Sequence, residues 1–263
     1  MNYELLCTKV MAITRLTGNF IRKEAMSFDS NSIEYKGLND MVSYVDKTAE
    51  RQLVRNLTKL LPGAGFITEE DETVNTQGEV FTWIIDPLDG TTNFIHGIPT
   101  YSVSIALYEN NEPVIGVVYE INRGEMFYTY KGGAAYLNNK EIRVSKATDL
   151  SQSLLATGFP YYQFDKQPQY IKLFTEMMQK CHGLRRIGSA AVDLAYVACG
   201  RFDAYFEYNL NSYDIAAGAY LVQQAGGQVM TFNGENDFIE KREILATNGL
   251  ITKEILDTIK KHF

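Results

Sequence analysis

A chain of 263 residues is long enough to bury a substantial core, as one large domain or as two closely packed lobes. Its 45% hydrophobic and 22% charged content is ordinary for a globular protein, and no apolar run reaches the roughly 18 residues of a membrane span. The net charge of −7, from 25 basic and 32 acidic residues with no basic tract, argues against nucleic acid or an anionic membrane as partner.

Cys7, Cys181 and Cys199 form no Cys-x-x-Cys pair and are odd in number, which fits reduced thiols in a cytoplasm. Lys9 and Arg15 interrupt the apolar start of the chain, so no signal peptide is expected. Leu5, Leu6, Val10, Ile13, Leu16, Phe20 and Ile21 recur at helical spacing and predict an amphipathic helix over residues 2–25. A second helix is expected over 46–61, with Ala49, Leu53, Leu57 and Leu60 on one face and Pro62-Gly63 as its stop. Phe66-Ile67 and Trp83-Ile84-Ile85 each read as the end of a strand. Strands over 101–108, 114–120 and 126–130, joined by turns at Asn110-Asn111 and Asn122-Arg123-Gly124, predict an antiparallel meander.

Residues 138–150 read as a connector. Beyond it, strands are expected over 154–159, 203–207, 228–232 and 243–247. Helices are expected over 167–180, 189–199 and 214–225, the last stopped by Gly226-Gly227, with one more at the C-terminal end. The pattern is mixed α/β (α+β), with helices layered on sheets and two lobes, about 1–145 and 146–263, meeting near residue 145.

The most informative stretch is 83–94. An apolar strand end runs into Asp86, Pro87, Leu88, Asp89, Gly90, Thr91, Thr92, Asn93 and Phe94. Pro87 forces a turn, Gly90 lets backbone approach a ligand closely, and two carboxylates beside hydroxyls suit a hard cation held against a phosphate. The same Asp-Pro-x-Asp-Gly composition also makes ordinary surface turns. Glu69 and Glu70 follow Phe66-Ile67 but open an acidic run, Glu69-Glu70-Asp71-Glu72, that can be merely solvated. Asp214 and Asp46 each stand where a helix begins, and a plain N-cap explains either. Periodicity does not bring these four places together.

In this order the residues resemble the inositol monophosphatase family of metal-dependent phosphatases. Three parts carry the likeness: Glu69-Glu70 after a strand, the segment from Asp86 to Phe94, and Tyr213-Asp214-Ile215-Ala216-Ala217-Gly218 leading to Ala225-Gly226-Gly227. Thr68 stands where the family commonly has glycine, and Tyr213 where it commonly has tryptophan. Neither replaces a ligand.

The resemblance implies an α-β-α-β-α sandwich with mixed and antiparallel sheets. It implies two or three Mg²⁺ ions per subunit: one held by Glu69, Asp86 and the Leu88 carbonyl, a second by Asp86, Asp89 and Asp214, and a weaker third near Asp46. It further implies that Gly90 and Thr91 amides bind phosphate oxygens, while Glu69 and the Thr91 hydroxyl orient the attacking water. Asp89, Glu207 and the Gly188-Ser189-Ala190 backbone would receive the leaving alcohol. Glu207 also reads as an exposed strand end. Most metal ligands would come from the first lobe, and Asp214 and the substrate side from the second. A cytoplasmic homodimer acting on a small phosphorylated substrate is expected.

Inositol monophosphate heads the expected substrates. Fructose 1,6-bisphosphate, 3′-phosphoadenosine phosphate and the 2′-phosphate of NADP are alternatives, as is a non-catalytic binding or regulatory role on the same scaffold. An EF-hand and a Walker A loop are excluded by spacing and by the lack of Gly-Lys. An Asp-x-Asp nucleophile and a Gly-x-Ser-x-Gly elbow are not found in this motif set either. His96, His182 and His262 are scattered, and His96 is expected to order the loop after the central motif.

Overall fold

Asn2 opens the first helix, its Oδ1 accepting from the Leu5 amide at 3.0 Å. The computed structural model describes residues 1–28, 33–37, 40–76, 78–160 and 164–263. Helix α1 (Tyr3–Ala25) is followed by strands β1 (Ile33–Gly37) and β2 (Asp40–Ser43), which pair as a hairpin, and by α2 (Tyr44–Leu60). Then come β3 (Gly65–Thr68), β4 (Phe81–Asp89), the short α3 (Thr91–Ile95), β5 (Ser102–Glu109), β6 (Glu112–Glu120) and β7 (Glu125–Tyr130). Two short strands, β8 (Ala135–Leu137) and β9 (Lys140–Ile142), complete a seven-stranded sheet in sequential order β3 to β9. Its β3–β4 pair is parallel and the rest is an antiparallel meander.

The expected connector thus begins with a hairpin. Asn138 and Asn139 hold φ of 47° and 67°, as Asn110 and Asn111 hold 50° and 66° in the turn before β6. Two consecutive left-handed residues match the twist of paired strands, and asparagine tolerates that conformation best after glycine.

The second half supplies β10 (Leu154–Thr157), α4 (Gln167–Lys180), β11 (Gly183–Arg185), α5 (Ala190–Ala198), β12 (Ala204–Tyr208) and α6 (Ser212–Gln224). It ends with β13 (Gln228–Met230), α7 (Phe238–Lys241), β14 (Glu243–Thr247) and α8 (Thr252–Ile259). The five strands form a mixed sheet in the order β11-β10-β12-β14-β13, parallel over the first three.

Alternation along the strands builds five layers. In β4, Trp83 and Ile85 face α1 and α2, packing with Val10, Leu53 and Leu57, whereas Ile84 faces inward. The inner layer joins Ile84, Ala106 and Val118 to Leu194, Ile215 and Ala219 of α5 and α6, and then to Tyr205 and Ala246 of the second sheet. On that sheet's far face, Leu155, Phe206 and Leu245 meet Leu173, Met177 and Ile255 from α4 and α8. Full burial of one such side chain contributes roughly 1.5–3 kcal/mol. The α-β-α-β-α sandwich expected from the resemblance is therefore the observed architecture. Among the described residues, no helix is long and apolar enough to cross a membrane.

The inner pair, α5 and α6, packs closely because Gly218 has no side chain: a Cβ there would lie 2.5 Å from the Leu194 Cβ. Both helices begin at the same end of the sandwich, and their first turns carry part of the site.

Candidate active site

The two acids of the central motif are three residues apart, so in a regular strand they would point to opposite faces. The register prevents this: Asp86 pairs with Ser104 and Asp89 with Ser102, which leaves one extra residue on β4. That bulge falls at Pro87 and Leu88, where proline donates no ladder hydrogen bond. Leu88 is driven into the outer core at 1% exposure, and its amide donates to Asp86 Oδ1 at 2.9 Å. Asp86 and Asp89 come to lie near one another at the sheet end. Burial first, then the charges of Glu69, Asp89 and Asp214, push Asp86 well above the ordinary carboxylate range. Glu69 also hydrogen-bonds the Asp86 side chain.

Gly90 turns the chain with φ of +96° and starts α3; a Cβ would lie 3.1 Å from the Thr100 carbonyl and 3.2 Å from that of Gly188. Thr91 Oγ1 lies within donating distance of both Asp46 Oδ1, at 2.9 Å, and the Leu88 carbonyl, at 3.0 Å. Asp46 is not an N-cap. Ser43 holds that position, and Asp46, third in α2, accepts from the Ser43 amide at 2.9 Å and its hydroxyl at 2.5 Å through Oδ2. Both oxygens of Asp46 are thereby engaged, one with its own helix start and one with Thr91.

The loop carrying Glu69 is fixed from two sides. Glu50 of α2 accepts from the Glu70 amide at 2.8 Å. Thr68 donates to Asn75 Oδ1 from its amide at 2.7 Å and from its hydroxyl at 3.1 Å. The departure from glycine at Thr68 thus adds a tether for the acidic turn. Tyr213, the other departure, stands beside the acids, and its phenol is pushed up by burial and by Glu69, Asp214 and Asp86.

Asp214 is likewise third in its helix, since α6 begins two residues earlier than the sequence indicates. Its Oδ2 accepts from the Asn211 amide at 2.6 Å. Burial nevertheless raises its pKa to about 8. Asp89 reaches α5: its Oδ2 accepts from Ser189 Oγ at 2.6 Å and from the Ala191 amide at 2.8 Å. Those bonds, with one from the Ala190 amide, oppose burial and leave Asp89 at about 6. Ser189 and Ala190, expected to meet the leaving alcohol, therefore also hold Asp89. Ser189 is in addition the N-cap of α5, accepting from the Val192 amide at 3.4 Å.

A cavity of about 130 Å³ adjoins these acids and brings together Asp89, Asp214, Gly188, Ser189, Ala190 and Glu207. Glu207 is no exposed strand end. Tyr205 donates its hydroxyl to Oε2, and burial raises the pKa to about 7. The carboxylate lies against Gly158, where a Cβ would be 2.0 Å from Glu207 Oε2.

The structure adds residues that spacing did not single out. Asn93 Nδ2 donates to the Thr100 and Ile187 carbonyls, each at 2.7 Å, and so fastens the central motif to the loop before α5. That role falls to Asn93, because the His96 side chain is exposed. Arg186 and Asp193 also line the cavity. Asp193 had a visible signal: it is the one charge in the apolar run Ala190 to Ala198.

Buried oxygen donors of this kind suit a hard cation. Among the described residues, no three Asp, Glu, His or Cys side chains stand in ligating geometry for one ion. Mg²⁺ commonly takes only one or two carboxylates and completes its shell with water and substrate phosphate, so the donor chemistry fits it.

Comparison with known proteins agrees with this architecture. The Nus factor SuhB of Pseudomonas aeruginosa is 41% identical over 252 residues, spanning 94% of this chain and 93% of that protein. The inositol-1-monophosphatase of Caulobacter vibrioides is 41% identical over 231 residues, spanning 87% and 90%. The crystal structure of the extragenic suppressor protein suhB from Bartonella henselae superposes with a TM-score of 0.91 at 37% identity, covering 97% of this chain and 99% of that one. The model of the inositol monophosphatase family matches residues 2–263, and the chain belongs to that family.

Proposed function

We infer that the protein hydrolyses a phosphate monoester of a small polyol with Mg²⁺ as cofactor, inositol monophosphate being the first candidate. The observation that supports this best is the crowding at Asp86, a buried acid facing Glu69, Asp89 and Asp214. Such a set, once ionised, is stabilised by cations. Glu69, Asp86 and the Leu88 carbonyl would hold one ion, and Asp86, Asp89 and Asp214, which do not yet stand in ligating geometry together, would close around a second. When bound, the ions would polarise phosphate and water and neutralise the departing alkoxide.

The protein's own groups do the positioning. Amides at the start of α3, which lack partners within the helix, face the place for phosphate oxygens. The Thr91 hydroxyl, bonded to Asp46, keeps lone pairs with which to accept from an attacking water. Because Asp46 already satisfies Thr91 and Ser43, it serves better as the partner of Thr91 than as a ligand of a third ion. Glu207 accepts hydroxyls of the leaving alcohol in the adjoining cavity.

Phosphate release is to be measured with and without Mg²⁺ on inositol monophosphate, fructose 1,6-bisphosphate, 3′-phosphoadenosine phosphate and NADP. Mg²⁺-dependent turnover, fastest on the polyol monoester, is expected; no release from any of the four overturns the reading. Single turnover in ¹⁸O-water should place the label in phosphate and none in Asp86.

The name Nus factor, carried by a relative 41% identical, favours a second reading: a binding or regulatory role on the same scaffold. The expectation against nucleic acid rests on the net charge and the lack of a basic tract, and a mobility-shift titration tests it directly.

A further inference from the structure

Asp193 is hard to explain as structure. It is 2% exposed on α5, whose other residues from Ala190 to Ala198 carry no charge, and its Oδ1 has no hydrogen-bond partner among the described residues. An aliphatic side chain would suit that helix better, since a buried polar oxygen left unpaired is costly. Yet Asp193 lines the same cavity as Glu207, on the wall that α5 presents to β12. Glu207 and Asp89 repel it, and Arg186 offsets part of that charge.

We propose that Asp193 is a second specificity residue of this cavity, forming with Glu207 a two-carboxyl subsite for a leaving alcohol that offers two hydroxyls, as a vicinal polyol does. The proposal rests on the hydrolase reading above and deepens it. Two carboxyl groups lining one cavity can each accept from a hydroxyl of the same alcohol, which suits a diol. The same pair disfavours a leaving group bearing a second phosphate. Asp193 acts by orienting the alcohol and takes no part in bond breaking.

The test compares wild type with Asp193→Val and Asp193→Asn at saturating Mg²⁺, on inositol monophosphate and on phenyl phosphate, which offers no hydroxyl. Asp193→Val should lower the ratio of kcat/KM for the two substrates by about 5- to 30-fold, through KM, as loss of one or two good hydrogen bonds does. Asp193→Asn, which keeps an acceptor and gains a donor, should restore part of that ratio. Asp193→Ala takes the place of Asp193→Val should the latter fail to fold. An unchanged ratio, or an equal loss on both substrates, overturns the proposal. Calorimetric titration with inositol monophosphate reads the subsite without turnover: the same weakening there supports the subsite even if wild type hydrolyses neither substrate, an outcome that sinks the hydrolase reading alone. Equal affinity in wild type and variant overturns the subsite.

Discussion

Thr91 Oγ1 sits 2.9 Å from Asp46 Oδ1, across 45 residues of chain. The bond joins the first turn of α3 to the first turn of α2. The other oxygen of Asp46 caps its own helix through Ser43, so one carboxylate ties the candidate phosphate loop to the outer helical layer. A hydroxyl fixed by a buried carboxylate is oriented without needing to reorganise as a reaction proceeds.

Thr91→Val and Asp46→Asn should each lower kcat about 10²- to 10⁴-fold, the range of positioned proton-transfer groups. The double variant should be little worse than the poorer single one, because the two act as a unit. Asp46→Asn should also cost about 0.5–2 kcal/mol in stability through its capping box, a loss absent from Thr91→Val. Multiplicative losses in the double variant would show that the two residues act separately.

Ser189 links the acids to α5 in a way that separates affinity from turnover. Ser189→Ala removes the 2.6 Å bond to Asp89 and the cap of α5 together. A Mg²⁺ affinity weakened by about 10- to 100-fold is expected, as for other groups that orient a ligand, with kcat recovered at high Mg²⁺. A fall in kcat that excess Mg²⁺ does not relieve would refute this role for Ser189.

Much of this site was legible because each acid stands beside a mark that local chemistry leaves in sequence. Pro87 and Gly90 announce the turn, and both Asp46 and Asp214 stand in the first turn of a helix. What spacing did not convey was which oxygen bonds to which donor. The family resemblance places the Ser189 backbone beside substrate, and only the fold shows that its side chain also donates to Asp89, 100 residues away. The hairpin at Asn138-Asn139 does not show in the hydrophobic pattern, although Asn110-Asn111 carries the same turn signal, because its strands have only three residues each and show no usable alternation. The role of Asn93 within the motif is not legible from sequence, since its partners at Thr100 and Ile187 lie in loops that no periodicity places.

Removing metal should make stability depend on pH in a definite direction. Burial raises the carboxyls of Asp89, Glu207 and Asp214 to about 6, 7 and 8, above their ordinary values. Acids raised in the folded state contribute stability that is full below pH about 4 and is lost as pH rises through those folded values. The Tm in EDTA should therefore carry a falling component between pH 5 and 8, and added Mg²⁺ should flatten it. Asp214→Asn should raise the metal-free Tm at pH 8 while lowering activity more than about 100-fold, beyond the loss typical of groups that merely orient ligands. A Tm that rises with pH in EDTA, or near-normal turnover in Asp214→Asn, contradicts the assignment.

The position of Glu207 can be perturbed without touching its charge. Gly158 lies against the carboxylate so closely that a Cβ would come within 2.0 Å of Oε2 and 2.3 Å of Cδ. Gly158→Ala must therefore push Glu207 off its bond with Tyr205, whereas Glu207→Gln keeps the shape and removes the charge. Both variants should raise KM for a polyol phosphate and leave the acids around Asp86 in place. For Glu207→Gln, loss of a charge-assisted hydrogen bond of roughly 1.5–3 kcal/mol corresponds to about a 10- to 150-fold fall in kcat/KM. Phenyl phosphate, with no hydroxyl to offer, should lose much less. Combining the two substitutions should add little, since a displaced carboxylate and an amide both forfeit the same contact. If phenyl phosphate suffers as much as the polyol ester in either variant, Glu207 supports the fold of the cavity rather than selecting its occupant.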